Sequence, residues 1–289
     1  MRIPESELII NSDGSAFHIH MRPADLADTV ILVGDPGRVE MFRSRMYSVK
    51  AEGASREFVW ITGEYNGKEL TVLSTGIGPD NIDIVMTELD ALANVNFETR
   101  EVNPVHRTLR IVRVGTSGAI RPDIPIGTFL FSEISVGFDG VMNWYEGREK
   151  FALPDFEEAF LKHIQWNPFL PKPYFVRNSE SLAKLFADST VKGMTISAPG
   201  FYGPQGRVVR QGLAMPDMLE KLESFSYEGH TFSNFEMEGA AIAGMGCKLG
   251  HETATVCCII ANRHNRDANV NYKSLVEDLV QLVMDKVTL

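Results

Sequence analysis

Apolar runs of strand length interleave along this chain with segments of helical spacing. The runs are TVILVGD (29–35), EFVWITGEY (57–65), ELTVLSTG (69–76), LRIVRVGTSG (109–118), TFLFSEISVGF (128–138), GMTISAPG (193–200) and TATVCCIIANR (253–263). Several are apolar almost throughout, as strands buried on both faces are. Helical spacing is read over 79–95, 155–165, 179–187, 215–224, 236–249 and 272–287. The pattern predicts an α/β fold with helices flanking a mixed central sheet. No linker-like stretch divides the chain, so residues 1–289 are expected to form one domain. Segment 139–175 is irregular and aromatic (GVMNWYEGREKF, WNPFLPKPYF) and reads as an insertion or a lid near an opening.

Charge and cysteine content narrow the function classes. A formal charge of −10 argues against a general nucleic-acid or membrane-surface binder, because both need a positive face. Small anionic substrates need only a local basic pocket. The three cysteines (Cys247, Cys257, Cys258) lie in apolar contexts and form no C-x-x-C pair. The N-terminal MRIPESELII is too short and too acidic for a secretory signal, and no apolar run approaches membrane-spanning length. A cytoplasmic protein is expected.

Three strand-like runs end in glycine-bearing polar turns. VGDPGR (33–38) brings Gly34, Asp35 and Arg38 together; STGIGPDN (74–81) leads into a helix; RVGTSGA (113–119) carries Arg113, two hydroxyls and two glycines. Glycine lets backbone approach a ligand, a guanidinium forks onto an anion, and backbone N–H groups at a helix start attract negative charge. Neither G-x-x-x-x-G-K-[ST] nor G-x-G-x-x-G occurs in them, which disfavours a dinucleotide-binding oxidoreductase. Ligands of α/β sheets bind at the carboxyl ends of strands, where such turns lie. A further feature is FEMEGAA (235–241), which sets Glu236 and Glu238 beside a helix of small, buried residues. Glu236 is expected at the helix start, either as a capping acid or in contact with substrate.

Taken together and in order, VGDPGRVE, STGIG, RVGTSGAI, GFYGPQGR and FEMEGAA resemble the nucleoside phosphorylase family, closest to its uridine phosphorylase branch. The resemblance runs from about Phe17 to the final helix and is interrupted mainly at 139–175. It implies a three-layer α/β sandwich around a mixed sheet, and reversible phosphorolysis of uridine to uracil and ribose 1-phosphate. Phosphate positions map to Gly34, Arg38, Arg113 and Thr116. Arg56, in SREF, matches an arginine lent by the neighbouring subunit. His18, in FHIH, matches a histidine that the neighbour sets against the ribose 5′-hydroxyl; His20 would suit a metal pair with it only if the segment were a strand. Glu238 and Met237 map to the ribose site, where an acceptor-only carboxylate suits a diol. Phe201, Gln205 and Arg207 map to the base site, and Gln with Arg complements the acceptor–donor–acceptor edge of uracil. Arg113, Gln205, Arg207 and Glu238 are the expected catalytic residues.

The same resemblance implies no cofactor, with inorganic phosphate as co-substrate, and no metal. Some relatives hold a monovalent cation between subunits; Glu57 matches its carboxylate, whereas Asn81 stands where a serine is usual. A shared site makes a homodimer the minimal unit, and a homohexamer is expected. One departure and one agreement with the uridine branch bear on the base. The loop reads YGPQGR where many relatives read YPGQER. After the last strand, Asn262-Arg263 stands where the purine branch has an acid. The alternatives are a purine nucleoside phosphorylase, a nucleoside hydrolase of the same fold, or a catalytically silent nucleoside-binding protein. No other histidine (His106, His163, His230, His251, His264) has a partner visible in the sequence.

Overall fold

The computed structural model describes residues 2–289. Its principal strands are β1 Thr29–Val33, β2 Ser48–Ser55, β3 Phe58–Tyr65, β4 Lys68–Ser74, β5 Arg110–Ala119, β6 Phe129–Gly137, β7 Tyr174–Arg177, β8 Val191–Ser197, β9 His230–Glu236 and β10 Glu252–Asn262. The helices are α1 Gly37–Arg43, α2 Pro79–Asn94, α3 Pro154–Ile164, α4 Glu180–Leu185, α5 Met218–Ser224, α6 Gly239–Leu249 and α7 Lys273–Val287. The ten strands join one 12-stranded sheet in the order β9-β8-β6-β10-β5-β1-β4-β3-β2, with β7 on β6. The two-residue strands Ser226–Tyr227 and Asp267–Ala268 complete it.

The sheet is mixed, as its composition predicts. β1 runs parallel to β4 and β5, and β5 parallel to β10, whereas β6 is antiparallel to β10. The end of β5 also pairs antiparallel with β9. Side-chain alternation sends β1 to both faces. Val30 and Leu32 pack with α2 and α6, while Ile31 and Val33 pack with α1, α4 and α7. A third core joins α3 and α5 to β6, β8 and β9.

Several elements differ from the sequence expectation. α1 was hidden in a motif that reads as a turn, and seven residues of GRVEMFR are helical. β2 (SVKAEGAS) carries no apolar run because none of its residues is buried. β9 (HTFSNFE) is buried over its last five residues although only Phe232 and Phe235 are large and apolar. The expected helix 236–249 begins at Gly239, and Glu236 closes β9 instead. Segment 139–175 is no lid over a cavity. Its Phe156, Phe160 and Ile164 belong to the third core, and buried Glu157 accepts from Arg148 Nη2 (2.7 Å) and pairs with Lys172 Nζ (3.1 Å). No residue of this segment lines the large cavity described next.

Candidate active site

A cavity of about 1660 Å³ lies at the carboxyl ends of the parallel strands. One wall is built by β1, β5 and β9. Gly34 follows β1, and Arg38 on α1 donates through Nη2 to Thr116 Oγ1 on β5 (3.4 Å). Burial and the neighbouring Arg113 charge both lower the pKa of Arg38 from its ordinary value. Two like charges so placed are poised for an anion.

Arg113 projects from mid-β5 along the strand. It has room because residue 115 is glycine: a Cβ there would stand 2.0 Å from Arg113 Nη1. The guanidinium is buried between two carboxylates. Nη1 pairs with Glu236 Oε2 at 3.2 Å, and Nη2 contacts Glu238 Oε2 directly. Burial opposes the Arg113 charge, but Glu238 and Glu236 outweigh it and hold its pKa above the ordinary value. Cys257 Sγ lies 3.6 Å from Nη1, and burial pushes that thiol up to about 12. It is an inert, neutral acceptor here.

The two acids differ in what they do. Glu236 accepts the backbone N–H groups of Glu238 (2.9 Å) and Gly239 (3.0 and 2.9 Å), and the Ser197 hydroxyl also donates to it. It therefore satisfies the first amides of α6, which is the capping reading of this acid, reached from a strand end rather than from a helix. Glu238 accepts the Gly78 N–H at 2.7 Å and faces the cavity with Met237. Burial raises its pKa, Arg113 lowers it, Glu236 raises it again, and the net shift is upward. Nothing in the sequence marked Ser197 or Gly78 as their partners.

The opposite wall is a loop. Gln205 is buried, and its Oε1 accepts from Arg207 Nη1 (2.5 Å), which also donates to Phe201 O (2.6 Å). The Arg207 guanidinium stacks 3.7 Å from the Phe201 ring centroid. Arg263 Nη1 holds Gln205 O at 3.0 Å. Burial, then the Arg263 charge, bring Arg207 down to about 10. Asn262 lines the cavity but spends its amide on Arg121 O and Ile124 O (2.9 and 3.0 Å).

Two expected residues lie elsewhere. His18 does not line this cavity; its Nδ1 sits 2.5 Å from Glu88 Oε1, and Glu88 also takes the N–H groups of His18 and Ile19. Arg56 is exposed in the turn between β2 and β3, at φ +56°, and does not line the cavity either. His20 is exposed at φ +50°, outside any strand, so the conditional metal pair with His18 does not form.

The cation residues do meet, but not as ligands. Asn81 Nδ2 donates to Glu57 Oε1 at 3.0 Å, over Gly76, where a Cβ would stand 2.6 Å from that nitrogen. A hard cation needs oxygen donors, and an amide NH₂ turned toward the carboxylate presents hydrogens instead. The pair does not fit a cation. In a separate cluster, Asp90, His106 and His251 bring one potential ligand atom each within 4.8 Å of one another, but the basic nitrogen of His251 is already engaged. His251 Nδ1 accepts the Leu109 N–H (3.1 Å), so in the neutral ring Nε2 carries the proton and faces Asp90 Oδ1 at 3.2 Å.

With this geometry in view, the sequence profile of the phosphorylase superfamily matches residues 28–288. The chain belongs to the phosphorylase superfamily. It is 30% identical to the uridine phosphorylase of Thermococcus kodakarensis over 251 residues, 87% of this chain and 79% of that one. It is 29% identical to the uridine phosphorylase of Escherichia coli K12, covering 89% of each. A crystal structure of a Trypanosoma brucei nucleoside phosphorylase, described as showing uridine phosphorylase activity, matches with a TM-score of 0.88 and 25% identity. That likeness covers 96% of this chain and 98% of the other. Among the described residues, no helix is long and apolar enough to cross a membrane.

Proposed function

We propose that this superfamily member is a uridine phosphorylase. The carrying observation is one cavity lined by an arginine pair, Arg38 and Arg113, by the Gln205–Arg207 pair and by Glu238, which is seated on Arg113. Phosphate oxygen attacks C1′ of uridine, the C1′–N1 bond breaks, and its electron pair leaves on N1 of uracil. The products are ribose 1-phosphate and the uracil anion. No protein nucleophile is needed, and phosphate is the co-substrate without a cofactor. Gly34, Arg38, Arg113 and Thr116 hold the phosphate. Glu238 accepts from the ribose hydroxyls beside Met237. Phe201 packs on the base, while Gln205 and Arg207 stabilise the charge that develops on it, a task of the oxyanion type.

His18 and Arg56 fit this scheme as gifts to a neighbour's site, since both lie outside their own chain's cavity. A homodimer is then the smallest working unit, and a homohexamer its larger assembly. We read residues 1–289 as one domain with an insertion at 139–175, supported by a sheet whose strands come from Thr29 to Ala268. Three free thiols agree with a reducing cytoplasm. The test follows free base from uridine, inosine and thymidine, each with and without phosphate. Phosphate-dependent release of uracil is the expected result. Release without phosphate means a hydrolase, a preference for inosine means the purine reaction, and binding without turnover means a silent pocket.

A further inference from the structure

Glu88 is a buried acid that none of the roles above uses. It lies on α2, whose Val85, Met86, Leu89 and Leu92 belong to the first core, and it is itself 7% exposed. A carboxylate in such surroundings is costly unless it is hydrogen-bonded. The bonds it makes all go to one turn near the start of the chain. Oε1 accepts the His18 N–H (3.0 Å), Oε2 accepts those of His18 (3.1 Å) and Ile19 (3.0 Å), and His18 Nδ1 stands 2.5 Å from Oε1. The turn is held from other sides as well. The Trp60 indole donates to Ile19 O (2.9 Å), the Ala16 N–H donates to Met21 O (2.9 Å), and the Phe17 ring meets the His18 ring edge to face at 4.8 Å. A carboxylate only accepts, so its contact with Nδ1 puts the ring proton there, and in the neutral ring the free lone pair is on Nε2. That nitrogen has no hydrogen-bond partner among the described residues, and the side chain is 28% exposed. The imidazole is thus fixed in place and in tautomer, with a bare acceptor at its free end.

We propose that Glu88 is a positioning residue, which sets His18 as a hydrogen-bond acceptor toward the 5′ group of the nucleoside in the neighbouring subunit's cavity. This rests on the reading in which His18 is lent across a dimer. Glu88 touches no substrate and acts only through His18. It does so twice, by holding the backbone of the turn and by choosing which ring nitrogen keeps its lone pair. The 5′ group is then received as a donor. A hydroxyl meets that demand by turning its hydrogen to Nε2, and an ammonium meets it without a choice.

The experiment compares wild type, Glu88→Gln and His18→Ala on uridine, 5′-deoxyuridine and 5′-amino-5′-deoxyuridine, whose ammonium can only donate. Nitrogen-15 spectra of histidine-labelled protein report which nitrogen of His18 carries the proton. In Glu88→Gln the two backbone N–H groups can only donate, so the amide oxygen takes the place of Oε2 and its NH₂ faces Nδ1. The ring proton then moves to Nε2. The expected spectra show the Nδ1–H form in wild type and the Nε2–H form in Glu88→Gln. The variant should lose on the order of tenfold in kcat/KM for the ammonium substrate, less for uridine, whose hydroxyl can turn and accept, and least for 5′-deoxyuridine. Ratios between nucleosides within one variant cancel any loss of folded protein. The same tautomer in both proteins, or an equal loss on all three nucleosides, overturns the positioning role. His18→Ala should erase the preference for uridine over 5′-deoxyuridine. An intact preference there removes the shared-site reading and the proposal with it, whereas an erased one beside wild-type behaviour in Glu88→Gln removes the proposal alone.

Discussion

Arg113 and Arg207 face one cavity, but the first is fixed by strands and the second by a loop. Arg113 lies on β5 with its charge enclosed by Glu236 and Glu238, and both acids are themselves held by backbone amides. Arg207 has no acid within ion-pair distance among the described residues, and leans on Phe201 and a neighbouring amide. The first arrangement merges folding with function: the same contacts that orient the guanidinium neutralise a buried cluster. The second separates them, because a half-buried cation stacked on an exposed ring supports little else. Substitutions should therefore couple stability to rate at the strand ends and leave them uncoupled in the loop.

The largest effect is expected from Arg113→Ala. Removing the only cation between two buried carboxylates should cost about 3–5 kcal/mol of stability and on the order of 1000-fold in kcat/KM. Urea unfolding and uridine kinetics on the same preparation check both. Full stability with lost activity would break the comparison at its root.

The two glutamates sharpen it. Glu236→Gln should lower stability by about 1.5–3 kcal/mol, because its carboxylate accepts the N–H groups of Glu238 and Gly239 at the start of α6 and the Ser197 hydroxyl. Glu238→Gln should lower stability by less than Glu236→Gln does and lose roughly 10- to 100-fold in kcat/KM. Its pH profile adds a sign. Burial raises the Glu238 pKa, so kcat/KM should decline on acidification above the ordinary carboxylate range, and that limb should be absent in Glu238→Gln. For stability the same raised pKa works in reverse: the protonated form suits the fold, and this contribution is lost as pH rises through the folded value. Larger kinetic damage from Glu236→Gln at unchanged melting temperature would exchange the two roles.

These residues also show how far the sequence could be read. The apolar runs located β1, β3 to β6, β8 and β10 because strands buried on both faces advertise themselves. β2 is exposed and β9 gathers polar residues under the site, so neither does. FEMEGAA marked two acids but not their division of labour, which depends on β9 ending at Glu236 rather than on any spacing. Arg38 and Arg113 stood out because glycine turns at strand ends are a geometric signal, whereas Thr116 was named only by resemblance. Ser197, Gly78 and Cys257 reach the site only through the folding of distant strands, and a serine or glycine in a strand or turn carries no mark of that. His18 and Arg56 were legible only by resemblance, since nothing in their own chain's cavity calls for them.

Arg207→Leu should act on the other side of the comparison. On the proposed mechanism it removes one charged donor to the departing base and should lower kcat by roughly tenfold, with the melting temperature unchanged. The uridine-to-inosine ratio of kcat/KM should fall in parallel, since a polar pocket discriminates through the groups it leaves unpaired. A melting temperature that drops as in Arg113→Ala would mean that the loop is as integral to the fold as the strands.

The smallest effect is expected at Glu57 and Asn81, which line the same cavity. The Glu57 carboxylate accepts a hydrogen bond from an amide donor, Asn81 Nδ2, held against Gly76. Exchanging potassium for choline at constant ionic strength should leave uridine kcat/KM unchanged, because screening is then the same and the hydrogen-bonded Glu57–Asn81 pair does not suit a cation. Asn81→Ser removes the NH₂ and supplies a hydroxyl whose oxygen can turn outward as a ligand. That variant should become responsive to potassium, at a level set by how well Glu57 and the Gly76 turn complete the coordination. A wild type that potassium activates would show that the Asn81 amide swings away from Glu57, and that this corner of the cavity is less fixed than the strand ends beside it.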